Sequence, residues 1–343
     1  MNYHSLVIFI AAMFFYSACI PPARESDPSP DLYAKGIYVV NEGNFQWGNA
    51  SVSFYNLSSG VVTRDIFSLK NNETTGDVAQ SLSFYKDHFY LVVNNSNKIE
   101  ILDTNFVRTS VVTGFDSPRY IAFNSDGKGY VSDLYAKGVS VLNTASKVID
   151  KKIIINYWTE EMLSFKDTIY VTSPQSMYLY LINTSKDVLT DSINIGYGSS
   201  AVTIDHNNHL WIITSGKKDL AIKPSLLALD VFSRKILLRY EFNSYDVYPS
   251  KLNYNPVNQY VYWIDNGIKR FDTNNLSGKQ EEIISADQKS FYGLAIDPFN
   301  GNVIASDAGD YTQRSAIYMY SKDGGVPISS FTAGIISGYM LVK

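Results

Sequence analysis

The side chains that most often carry chemistry are few in this chain and poorly spaced for it. Four histidines occur among 343 residues. His4 falls in an apolar leader, and His88, His206 and His209 fall in short polar stretches between apolar runs. His206 and His209 stand close enough to tempt a zinc reading, yet no further ligands accompany them, and a local turn is the plainer account of the pair. There is no Gly-x-Ser-x-Gly elbow, no Walker loop and no second cysteine, which leaves no sign of an activated serine, a phosphate-cradling loop or a dithiol. Carboxylates recur more regularly: Asp133, Asp265 and Asp307 each end an apolar run. Pointing towards a common central opening, they could bind a cation or act as acid and base; hydrogen bonding repeated within each unit is the plainer alternative. No residue is assigned to catalysis or to a metal on this basis, and no catalytic cofactor is expected.

What the chain has in quantity is aromatic surface, with 26 Tyr, 18 Phe and 4 Trp. Much of it belongs to a recurring phrase: an aromatic and β-branched run, a polar turn, then a second apolar run closing on Asp-Thr or Asn-Thr. The phrase occurs at residues 90–104, 130–144 and 170–184. Aligning Tyr38, Tyr90, Tyr130, Tyr170, Trp211, Tyr262 and Ile304 gives steps of about 40 to 52 residues, the interval of a four-stranded propeller blade. Helix-favouring Ala-rich or Leu-rich stretches are missing, and β-branched and aromatic residues suit pleated surfaces. The fold class expected is therefore all-β, a seven-bladed β-propeller forming one domain over residues 33–343.

The third repeat shows the four strands most clearly, at residues 120–123, 130–133, 139–142 and 148–155, with Asp126 and Gly127 as a hairpin signal. The first repeat begins at Gly36 with what matches the second strand of a blade, so its innermost strand must come from elsewhere. Residues 338–342 fit that role. The C-terminus is thus expected to complete the first blade, removing two exposed sheet edges.

Blade topology sorts the connections onto two faces. Short hairpins between first and second strands hold the three histidines on one face. The other face collects longer segments that carry Phe45, Trp47, Asn94, Asn95, Tyr135 and Tyr178 between second and third strands, and Arg119, Trp158, Tyr248 and Tyr292 between one blade and the next. The last blade adds Tyr311 and Arg314. Aromatic plates with a few polar groups are what a concave small-molecule site needs, so these twelve residues form the candidate ligand-binding set. The alternative for any one ring is packing between blades. With 29 Lys and Arg against 33 Asp and Glu, scattered evenly, no basic stripe for nucleic acid exists.

The N-terminus carries an apolar stretch, residues 6–16, too short for a stable membrane span but suited to a signal-peptide core. Ser17 and Ala18 precede the lone Cys19, which resembles a bacterial lipobox, although the extreme N-terminus lacks Lys and Arg. Residues 1–18 are expected to be a lipoprotein signal peptide, Cys19 the lipidation site, and residues 19–32, with four prolines, a disordered tether.

These repeats, in particular residues 117–123, 129–133 and 139–144, resemble the YncE-type (YVTN) seven-bladed propellers over residues 36–343. Residues 37–44, 306–311 and 317–320, with the lipobox, are similar to surface lipoproteins of Bacteroidetes, among them the BtuG-type proteins. The resemblance implies an exported protein, lipid-anchored at the outer-membrane surface, that captures a nutrient, with cobalamin first in line, for a TonB-dependent transporter. It implies a monomer apart from that transporter. On loop position and residue type, stacking falls to Phe45, Trp47, Trp158, Tyr248 and Tyr311, and amide or phosphate contacts to Asn94, Asn95, Arg119 and Arg314. A glycan-binding or protein-docking scaffold and a metal-dependent lactonase or lyase remain as alternatives.

Overall fold

The structure is a computed structural model that describes residues 35–343. The signal peptide, Cys19 and the tether expected above lie outside the described residues. Seven four-stranded antiparallel sheets follow one another as blades 1 to 7, and the ring is closed by the C-terminal strand. That strand, Ser337–Val342, pairs antiparallel with the first strand, Gly36–Asn41, setting Tyr38 against Leu341 and Ile37 against Val342. Gly36 and Lys343 exchange backbone hydrogen bonds of 2.8 and 3.0 Å. The third repeat folds as Pro118–Phe123, Lys128–Asp133, Gly138–Asn143 and Val148–Ile154, close to the strands expected from its pattern.

Each aligned anchor sits in the second strand of its blade and is almost fully buried. Those strands are buried on both faces, and the period of two decides which neighbour each side chain meets. In blade 1, Tyr38 and Val40 pack with Phe89, Leu91 and Val93 of blade 2, whereas Ile37 and Val39 pack with Ile304 and Ile317 of blade 7. Trp211 and Ile213 of blade 5 likewise meet Val261 and Trp263 of blade 6. The hydrophobic core is therefore a circle of seven inter-blade clusters, one at each junction. Outer strands have water on one side and alternate instead, as Ile236–Glu241 does.

One α-helix interrupts the strand repeat among the described residues. A six-residue helix, Ile66–Asn71, follows the outer strand of blade 1 and inserts Ile66 and Phe67 into the junction with blade 2. Asp65 starts it by accepting from the Ser68 amide at 3.3 Å.

Candidate functional site: a charged funnel inside an aromatic rim

The seven innermost strands line the central channel, and each departs from regular pairing at the same end, the end reached from the inter-blade connections. In blade 2 Ala79 and Ser81 pair with Val93 and Val92, leaving Gln80 extra. Ser200, Tyr292 and Gly338 are extra in the same sense in blades 5, 7 and 1. Arg119 and Tyr120 oppose a single residue in blade 3, as Lys251 and Leu252 do in blade 6. In blade 4 the Glu160 amide donates to the Thr172 carbonyl and the Thr172 amide to the Glu161 carbonyl, each at 3.1 Å. A bulge inserts one residue and re-aims its side chain. Repeated round the ring, it feeds Gln80, Arg119, Tyr120, Glu160, Glu161, Ser200, Lys251 and Tyr292 into one cavity of about 240 Å³, together with Glu42 from a blade 1 loop. The backbone is strained there, with φ of +57° at Val78, a β-branched residue, and +58° at Lys251.

Opposite charges organise the funnel. Arg119 reaches from blade 3 to blade 4, where its Nη2 lies 2.6 Å from Glu160 Oε1 and its Nε donates to both carboxylate oxygens at 3.1 Å. A further hydrogen bond runs from Arg119 Nη1 to Gln80 Oε1. Burial works against the Arg119 charge, but Glu160 outweighs it and holds the guanidinium above its ordinary range. Tyr292 donates to Glu42 at 3.1 Å, and burial raises both the Tyr292 phenol and the Glu42 carboxyl. Glu161 accepts from the Val202 amide at 3.2 Å. Burial pushes its carboxyl up to about 7, against the pull of Lys251. Tyr120, Glu161 and Lys251 line both this funnel and a second cavity of about 220 Å³ further along the channel, so these three mark the constriction between the two.

Outside the funnel, exposed rings are distributed unequally. Phe45, Trp47, Tyr135, Tyr157, Tyr178, Tyr248 and Tyr311 lie on the funnel-mouth face, while only Phe232 and Phe299, of the exposed rings among the described residues, lie in turns of the opposite face. Tyr311 packs edge-on to Tyr292 with centroids 5.6 Å apart, and Tyr135 edge-on to Trp158 at 6.0 Å. Of the rings on the funnel-mouth face, Trp47 and Tyr248 stand farthest into solvent, at 75% and 76% exposure.

The twelve residues singled out from the sequence therefore fall into three groups. Phe45, Trp47, Tyr135, Trp158, Tyr178, Tyr248 and Tyr311 form the rim; Arg119 and Tyr292 enter the funnel; Asn94, Asn95 and Arg314 lie further out. The Asn94 amide is spent on Ser117 Oγ at 2.8 Å and the Pro118 carbonyl at 2.9 Å, and Asn95 on Asp77. The recurrent aspartates do not point into the channel. Asp133 is fully buried and accepts from the amides of Asp116, Ser117, Tyr135 and Ala136, Asp307 accepts from Ser290 and Gly309, and Asp265 pairs with Lys269 at 2.7 Å. Asp133 and Asp307 thus cap loops of their own blades, whereas Asp265 is held by an ion pair instead. His206 bonds Tyr254 Oη at 2.8 Å and His209 faces Asp205 at 3.2 Å, both on the opposite face. No group of three His, Cys, Asp or Glu side chains among the described residues is arranged to hold a metal ion. Glu42, Gln80, Tyr120, Glu160, Glu161 and Lys251 were not singled out from sequence. The one available signal was the adjacent Glu160 and Glu161 at the start of an innermost strand.

Similar chains are widespread among solved structures. A quinonprotein alcohol dehydrogenase-like protein of Bacteroides thetaiotaomicron superposes with a TM-score of 0.69 at 12% identity, over 90% of this chain and 78% of the other. The periplasmic gluconolactonase of Pseudomonas aeruginosa gives 0.68 at 12%, over 90% and 99%. Hydrazine synthase of Kuenenia stuttgartiensis gives 0.63 at 18%, over 71% and 77%. At such identities the likeness is one of fold. No curated protein matches the chain by sequence. A family model does, across residues 35–335, and the chain thereby belongs to the DUF5074 family, described as a domain of unknown function.

Proposed function

We propose that the protein captures a bulky polar nutrient across the funnel mouth, with cobalamin as the ligand, and passes it to a TonB-dependent outer-membrane transporter from a lipid anchor on Cys19. The observation that supports this reading is the one-sided ring of exposed aromatics around a polar opening. Apolar surface gathered on one face and bordered by polar groups marks an interaction site, and Tyr and Trp supply much of the energy at binding hot spots. The funnel, at about 240 Å³, is smaller than the roughly 300–1,000 Å³ of pockets that enclose drug-sized ligands, so the bulk of a corrin rests on the rim. A projecting amide then meets the donors and acceptors of Gln80, Ser200, Glu42 and Lys251.

The test is to incubate the purified protein with cobalamin, desalt it and read the visible spectrum. Retained colour is expected. Trp47→Ala and Tyr248→Ala should each weaken binding by roughly 30-fold, the equivalent of about 2 kcal/mol, while Phe299→Ala on the opposite face leaves it unchanged. A colourless eluate rejects cobalamin.

A second reading, hydrolysis of a small lactone within the funnel, is favoured by Glu161. Its carboxyl, pushed up to about 7, faces the lumen near Lys251, as a general base at neutral pH requires. Lactone turnover that disappears in Glu161→Gln would move the assignment to this chemistry.

A further inference from the structure

A third cavity, of about 270 Å³, opens between blades 7 and 1 and shares no lining residue with the funnel. Its wall comes from the loop after Trp47, from Ser51 and Ser53, from the connection that starts at Arg64, and from Arg314 and residues 333–335 of blade 7. Two guanidiniums therefore line one cleft, and neither has a carboxylate partner among the described residues. Arg64 donates Nη2 to Thr332 Oγ1 at 2.7 Å, but its Nε is buried with no acceptor among the described residues. A buried N–H left without an acceptor costs stability, and a charged one more so. Arg314 is exposed and reaches the same space.

The hydroxyls point the same way. Asn41 Nδ2 donates to Ser51 Oγ and Ser53 Oγ at 3.1 Å each, so both hydroxyls already accept and keep their protons to donate. Ser68 and Thr74 add two more hydroxyls to the wall. The one carboxylate there, Asp65, is engaged by the Ser68 amide at 3.3 Å. The cleft thus carries an excess of positive charge and more donors than the two oxygens of a carboxylate can use. A tetrahedral oxyanion with several acceptor oxygens uses them all, and guanidiniums bind such groups through paired hydrogen bonds.

We propose that the cleft between blades 7 and 1 binds a phosphate group, as inorganic phosphate or as a phosphate monoester, through Arg64, Arg314 and the Ser51 and Ser53 hydroxyls. The site stands independently of nutrient capture at the rim. Isothermal titration of the full chain at low ionic strength with inorganic phosphate, with glucose 6-phosphate and with glucose tests it. Both phosphates are expected to bind and glucose to give no heat; tighter binding of the ester points to an organic phosphate, tighter binding of the free ion to phosphate itself. Arg314→Gln, at an exposed position, should weaken binding roughly tenfold or more. Arg64→Gln should do the same, with its melting curve recorded because the Thr332 contact is also lost. Arg234→Gln, which breaks a surface pair with Asp191, serves as the control of unchanged affinity. Absence of binding by both phosphates, or equal affinity in Arg314→Gln and the native chain, overturns the proposal.

Discussion

Replacing Glu161 by Gln should stabilise the protein in a pH-dependent way. The native carboxyl titrates near 7 instead of its ordinary 4.5 because it lies deep in the channel, where burial penalises the charge more than Lys251 repays it. Between those two values the folded protein holds more protons than the unfolded chain, so stability falls as pH rises through the window. At about 1.36 kcal/mol per pH unit, the full penalty above pH 7 is on the order of 3 kcal/mol. The Gln oxygen can still accept from the Val202 amide, now 3.2 Å from the carboxylate, while carrying no charge. An unfolding entropy of roughly 0.65 kcal/mol/K for a ring of about 310 residues converts this to a rise in Tm of about 4–5 °C. Differential scanning calorimetry of both proteins at pH 8.5 and pH 4.5 should show that rise at the higher pH and almost none at the lower. Equal shifts at the two pH values, or a loss of stability at pH 8.5, would refute the placement of this carboxyl in a desolvated lumen.

Two further outcomes follow from the ring. Deleting residues 338–343 removes the innermost strand of blade 1, unpairs Tyr38 and Val40 from Leu341 and Tyr339, and should replace a single cooperative melt by aggregation or a broad transition; an intact sharp melt shows that closure contributes little. Arg119→Met leaves the almost fully buried Glu160 without its partner and should cost about 3–5 kcal/mol in urea unfolding, whereas adding Glu160→Gln should recover most of that loss. If the double variant is as unstable as the two single losses summed, the pair is not coupled.

Chemical character was legible from the sequence where local physics suffices. Strands buried on both faces read as near-continuous apolar runs, so Tyr90, Trp211 and Tyr262 announced the second strand of their blades, and turn residues such as Asp126 and Gly127 marked the hairpins. The vacancy before Gly36 and the fitting strand at residues 338–342 disclosed the closure, because a sheet edge needs a partner. The choice of face for Trp47, Trp158 and Tyr248 followed from strand order alone. Only the tertiary structure decided what the funnel contains. Side chains alternate with a period of two, and one inserted residue reverses that alternation; the insertions at Gln80, Glu160, Lys251 and Tyr292 share no residue type that would advertise them. Arg119 meets Glu160, and Tyr292 meets Glu42 from the far end of the chain, because the ring closes and brings neighbouring blades to one axis. Contacts of that range are set by the packing of whole blades, and no local pattern in the amino-acid order encodes them.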